Sequence, residues 1–218
     1  MSDFGKISTP SLKEVCVQAI LTKILSGELK PGDKLPAERD MAEAMGFLTV
    51  EPRRGTVVND YRRHPTPQSL AAVMRYSSVE MDRALFSDLM DTRLLIESEC
   101  ARLACRNIYD TTLEKMQHMV DELAAEPIDP TEILYQYHYR LVQASGNTIY
   151  SMIYRGFETV LRNLIRQHYS MRAKDIREAA QLHQQLLDAI VQRDEDAAEQ
   201  TARRILTQGI SALEEKYG

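Results

Sequence analysis

The chain has 218 residues, 44% apolar and 27% charged, with a formal net charge of -5, a balance that is ordinary for a globular protein and excludes a disordered chain. No run nears the roughly 20 apolar residues of a membrane span and no N-terminal apolar stretch reads as a signal peptide, so a cytoplasmic protein without membrane association is expected. The acidity is uneven: residues 1–64 hold ten Lys or Arg against nine Asp or Glu, and the remainder seventeen against twenty-three, an asymmetry that permits DNA contact by the N-terminal part.

From Ser11, the positions Leu12, Val15, Ile20, Ile24 and Leu25 keep helical spacing until Ser26-Gly27 closes the element. Pro31-Gly32 makes a tight turn, and Pro36 suits the first turn of a helix that runs to Met45 and stops at Gly46. Two short β segments, Phe47 to Val50 and Thr56 to Val58, then flank the basic tip Pro52-Arg53-Arg54-Gly55. A linker with two prolines and the run Arg62-Arg63-His64 follows. Beyond it about six helical segments are predicted, starting near Ser69, Met81, Asp110, Asp129, Asn147 and Lys174, with a seventh near Asp194. The expected organisation is a small domain over residues 1–60, a linker over 61–68 and an all-helical bundle over 69–218 with its own core.

Catalytic chemistry finds little support. No nucleophile elbow, zinc-protease helix, P-loop or dinucleotide fingerprint is present in the sequence. Cys16, Cys100 and Cys105 lack CxxC spacing and read as reduced, packed thiols. An enzyme is not expected.

Residues 29–46, LKPGDKLPAERDMAEAMG, resemble the opening of the winged helix in the GntR family of bacterial regulators, and residues 51–58 resemble its wing. Residues 89–105, 137–147 and 182–190 resemble the all-helical FCD ligand domain of the FadR-type branch. The resemblance implies a mainly α fold, a winged helix-turn-helix joined to a bundle of six to seven helices, in a ligand-responsive transcription regulator. Operator DNA, a small-molecule effector and a second copy of the chain are the partners it implies. Arg39, Arg53 and Arg54 suit phosphate or minor-groove contact, and each could equally be a solvated surface charge. Lys34, Gly55 and Thr56 complete the expected DNA-facing set, Gly55 because it lets backbone approach the duplex.

One departure from the family pattern stands out. The second helix should be followed by a recognition helix of about 15 residues that reads the major groove, but Gly46 runs directly into Phe47-Leu48-Thr49-Val50. Either that helix has been lost, or a mobile segment between residues 46 and 47 is missing from the sequence; true loss would favour a helical ligand-binding and dimerisation module without sequence-specific DNA binding.

In the ligand domain the resemblance implies a divalent-metal set of an Asp four residues before a His, with two further His. His138 and His183 occupy two of these positions, whereas Leu134 and Ile205 occupy the others and cannot ligate. No metal cofactor is therefore expected; Zn²⁺ or a similar ion would use His138 and His183. The expected effector-binding residues are Arg93, His138, Tyr154, Arg162 and His183. A fatty acid or acyl-CoA is the first expectation for the effector and a small organic acid the second.

Overall fold

The computed structural model describes residues 19–24, 26–35, 47–51, 55–77, 83–171 and 175–217. The chain divides into two compact units, Met1–Val79 and Glu80–Gly218.

In the first unit, residues 19–24 are helical and precede three short strands, β1 (Lys34–Leu35), β2 (Leu48–Glu51) and β3 (Gly55–Val58). They form an antiparallel sheet in the order β1-β3-β2, with Lys34 opposite Val57 and Glu51 opposite Gly55. The Pro31-Gly32 turn locks β1 onto β3. Gly32 holds φ +92° and donates its N–H to the Val58 carbonyl at 2.8 Å, while Val58 donates to Asp33 at 3.0 Å; a positive φ of this size suits glycine. Leu21, Ile24, Phe47, Val58 and Ala72 form the core, and the Tyr61 ring lies tilted against Phe47 at 5.0 Å between ring centres.

Helix α1 (Pro67–Ser77) supplies Ala72 and Val73 to that core, so it packs in the first unit, where the sequence reading had placed it in the bundle from Ser69. The cause is local. Asn59 donates to the Phe47 carbonyl at 2.8 Å and residues 60–64 close a hydrogen-bonded turn, which makes the presumed linker an ordered connection. Thr66 and Ser69 then cap α1 reciprocally, Ser69 N–H to Thr66 Oγ1 at 3.0 Å and Thr66 N–H to Ser69 Oγ at 2.8 Å.

Residues 36–47, twelve positions, separate β1 from β2. The expected helix Pro36 to Met45 and the Gly46–Phe47 junction lie outside the described residues, as do Cys16 and the wing tip at positions 52–54.

The second unit is a helical bundle: α2 (Arg83–Asn107), α3 (Asp110–Ala124), α4 (Thr131–Ala144), α5 (Thr148–Gly156), α6 (Glu158–Met171), α7 (Ile176–Val191) and α8 (Glu195–Tyr217). Helix α2 lies chiefly against α8 and α4, and α7 against α3 and α8. Its central core joins Ala101, Ala104 and Cys105 of α2, Met116 of α3, Tyr137 and Leu141 of α4, Leu186 and Ile190 of α7 and Ala198 of α8, each set recurring at the three- and four-residue spacing of one helix face. Cys100 and Cys105 are free, buried thiols, and burial pushes the Cys100 thiol up to about 12. The expected single segment from Asn147 is two helices, broken at Gly156-Phe157.

Candidate functional site

Within the second unit, α2, α4, α6, α7 and α8 line a partly open cavity of about 500 Å³. Its walls include Met90, Leu134, Leu164, Ile165, Leu182 and Ile205. Its polar end is built from Arg93, His138 and His183.

These three are linked through one further residue of α2. Glu97, one turn after Arg93 on α2, is fully buried. Its Oε1 accepts from Arg93 Nε, and its Oε2 lies 2.5 Å from His138 Nδ1 on α4. His138 Nε2 faces His183 Nε2 at 3.3 Å, and His183 Nδ1 donates to the Ala179 carbonyl at 2.7 Å. A carbonyl can only accept, so the hydrogen sits on His183 Nδ1 and its Nε2 lone pair points at His138. Tyr137 donates its hydroxyl to the His183 carbonyl at 2.9 Å and fixes that turn of α7.

Burial alone would raise the Glu97 carboxyl, but Arg93 and His138 overturn that and hold it at about 2. Burial, reinforced by His138, pushes His183 down to about 3. The cavity's polar end therefore combines an ionised, buried carboxylate with a neutral imidazole on opposite sides of His138.

For a divalent metal the described residues at this end offer the two facing imidazoles of His138 and His183. The two facing Nε2 atoms could share an ion, but a protein zinc site takes three or four protein ligands. Leu134 and Ile205 line the cavity where further ligands would stand, and Glu97 is turned to the other nitrogen of His138. Among the described residues no group of three His, Cys, Asp or Glu is arranged to hold a metal.

Not every expected residue reaches the cavity. Arg162, on α6, is not among the residues that line it and pairs with Glu158 at 2.9 Å and with Glu132, its guanidinium 4.0 Å above the Tyr135 ring. Tyr154, on α5, is buried and stacks on Tyr135 and Tyr139 of α4 at 5.8 and 6.2 Å between ring centres. His168, Asp175 and Glu178 line the cavity and were missed; the signal for His168 was its position four residues after Leu164 and three after Ile165 on one helix face. In the first unit Lys34 is exposed on β1, Gly55 opens β3 with φ +85°, and Thr56 pairs with Leu35 and Val50. Arg39, Arg53 and Arg54 lie outside the described residues.

Residues 88–208 match the model of the FCD domain, and residues 12–49 match that of the bacterial regulatory proteins of the gntR family. The chain belongs to the GntR family and carries an FCD domain. It is a transcription regulator and not an enzyme. The chain is 26% identical over 223 residues to the transcriptional regulator Mce2R of Mycobacterium tuberculosis, covering 92% of this chain and 90% of that protein. It is 27% identical over 178 residues to the fatty acid metabolism regulator protein of Proteus mirabilis, covering 72% of each. A solved structure described as Lar, which controls the expression of the Listeria monocytogenes agr system, shares the fold of this GntR-family chain with a TM-score of 0.60, at 15% identity over 95% of this chain and 99% of the other. The matched FCD segment contains the whole polar end of the cavity, from Arg93 to His183. Among the described residues no helix is long and apolar enough to cross a membrane.

Proposed function

We propose that this regulator is a cytoplasmic homodimer that binds near-palindromic operator DNA and is modulated by an aliphatic carboxylate, a fatty acid or its acyl-CoA, held in the α2–α8 cavity without a resident metal. The observation that carries the reading is the cavity itself: Met90, Leu134, Leu164, Ile165, Leu182 and Ile205 form apolar walls, and the guanidinium of Arg93, paired with Glu97, reaches it. Apolar walls suit an acyl chain and a buried guanidinium suits a carboxylate. The similarity to a protein named a fatty acid metabolism regulator points the same way. A small organic acid is the second candidate, using the same Arg93 and less of the apolar wall.

Two winged helices would meet half-sites about one helical turn, ~34 Å, apart. Effector binding would favour one state of the chain and alter operator affinity by its differential affinity for the two states.

Thermal unfolding with decanoate, decanoyl-CoA and glycolate as probes tests the effector class. Decanoate or its thioester raises the melting temperature of the wild type and leaves Arg93→Met unchanged; a response to glycolate alone moves the reading to small organic acids, and a response to none of them refutes it. The short interval of twelve residues between β1 and β2 favours the alternative of a ligand-binding dimerisation module without sequence-specific DNA binding. A salt-sensitive mobility shift with palindromic DNA from the protein's own upstream region supports the regulator, and no shift at low salt supports the module.

A further inference from the structure

The cavity of the second unit is charged unevenly along its length. Among the described residues its lining carries one guanidinium, Arg93, and two carboxylates, Asp175 and Glu178. Arg93 stands at the buried end beside His138 and His183, its side chain 13% exposed and already paired with Glu97. Glu178 precedes His183 by five positions on α7, about 7.5 Å along the helix axis. It is exposed, as are Thr207, Gln208 and Ser211 of α8, and its Oε1 accepts from Gln208 Nε2 at 2.9 Å. The cavity therefore opens on the side of the two carboxylates. Asp175 occupies the N-cap position of α7, yet its side chain accepts no capping hydrogen bond there.

We infer that the cavity takes the free acid, as its carboxylate, and turns away the same acid joined to coenzyme A, with Asp175 and Glu178 as the residues that make the choice. The inference rests on the effector reading given above. A thioester has no carboxylate to present to Arg93. With the acyl chain against the apolar walls, the phosphates of a coenzyme A thioester, at the opposite end of that molecule, would emerge on the open side. There they meet two carboxylates, and no further Lys or Arg lines the cavity among the described residues. Phosphate recognition relies on such cations, and like charges brought together at a binding surface suppress the wrong partner. A free acid brings a single negative charge, to the end that holds the guanidinium.

Isothermal titration calorimetry of the full chain with decanoate and with decanoyl-CoA, each at low and at high salt, tests it. The wild type is expected to bind decanoate about tenfold or more tighter than decanoyl-CoA at low salt, and the gap narrows at high salt because the repelling carboxylates face solvent. In the double variant Asp175→Asn with Glu178→Gln, which keeps an acceptor for Gln208, decanoyl-CoA gains about tenfold in affinity and decanoate gains less. Should the double variant not fold, the salt dependence of the wild type decides alone. Equal or tighter binding of decanoyl-CoA by the wild type overturns the inference and leaves the effector class standing. A preference for decanoate that persists undiminished at high salt or in the double variant removes Asp175 and Glu178 from the choice and overturns it as well. If neither ligand binds the wild type, the inference and the effector class fall together.

Discussion

Glu97 holds the polar end of the cavity together, because one carboxylate faces Arg93 from its own helix and His138 from α4. Removing one partner of a buried ion pair leaves an uncompensated charge, at a typical cost of about 3 kcal/mol or more. Glu97→Gln, which keeps the shape, is therefore expected to lower unfolding free energy by about that amount in urea titrations, and a loss below about 0.5 kcal/mol would show that the charge is dispensable. The pH dependence has a definite sign. His183 is depressed in the folded state, so the unfolded chain takes up its proton first, and stability falls as pH drops from 6.5 toward about 3. Glu97 is depressed as well, so its contribution is present above 4.5 and lost as pH falls toward about 2. The melting temperature should accordingly be lower at pH 5 than at pH 7, with His183→Asn, which keeps an N–H donor for Ala179, showing a shallower decline over that interval. Equal declines in the two proteins would remove His183 from the explanation.

At the scale of elements, end signals separate what was legible from what was not. A helix start is expected near Asn147, and the structure uses the Asn147 side chain as its cap, with Gly146 before it at φ +76°. Asn147→Ala is expected to cost about 1 kcal/mol and to speed exchange over residues 148–156; unchanged exchange there would mean that the cap does not hold α5. The break at Gly156-Phe157 was not legible, since apolar spacing continues through it and an isolated glycine is tolerated within a helix. The placement of α1 was missed for a different reason. Its apolar run suits either unit, and only the hydrogen-bonded turn at residues 60–64 decides between them. His138 and His183 could be paired by resemblance, whereas the Glu97 contact to His138 joins positions 41 apart in sequence on separate helices, which no local pattern encodes. Arg162, expected among the effector-binding residues, is paired instead with Glu158 and Glu132.

For the whole molecule, each of the two units has its own core, and the proposed reading assigns DNA contact to the first and the effector to the second. Communication between them then requires that the two units share an equilibrium that the ligand biases. The central claim is that the cavity ligand changes operator affinity. Fluorescence anisotropy with a labelled palindromic fragment of the upstream region, titrated at one fixed salt concentration with and without saturating decanoate, measures this directly. A change in Kd of about fivefold or more, absent in Arg93→Met, is predicted, and a change of less than about twofold in the wild type, a coupling below ~0.5 kcal/mol, would contradict it.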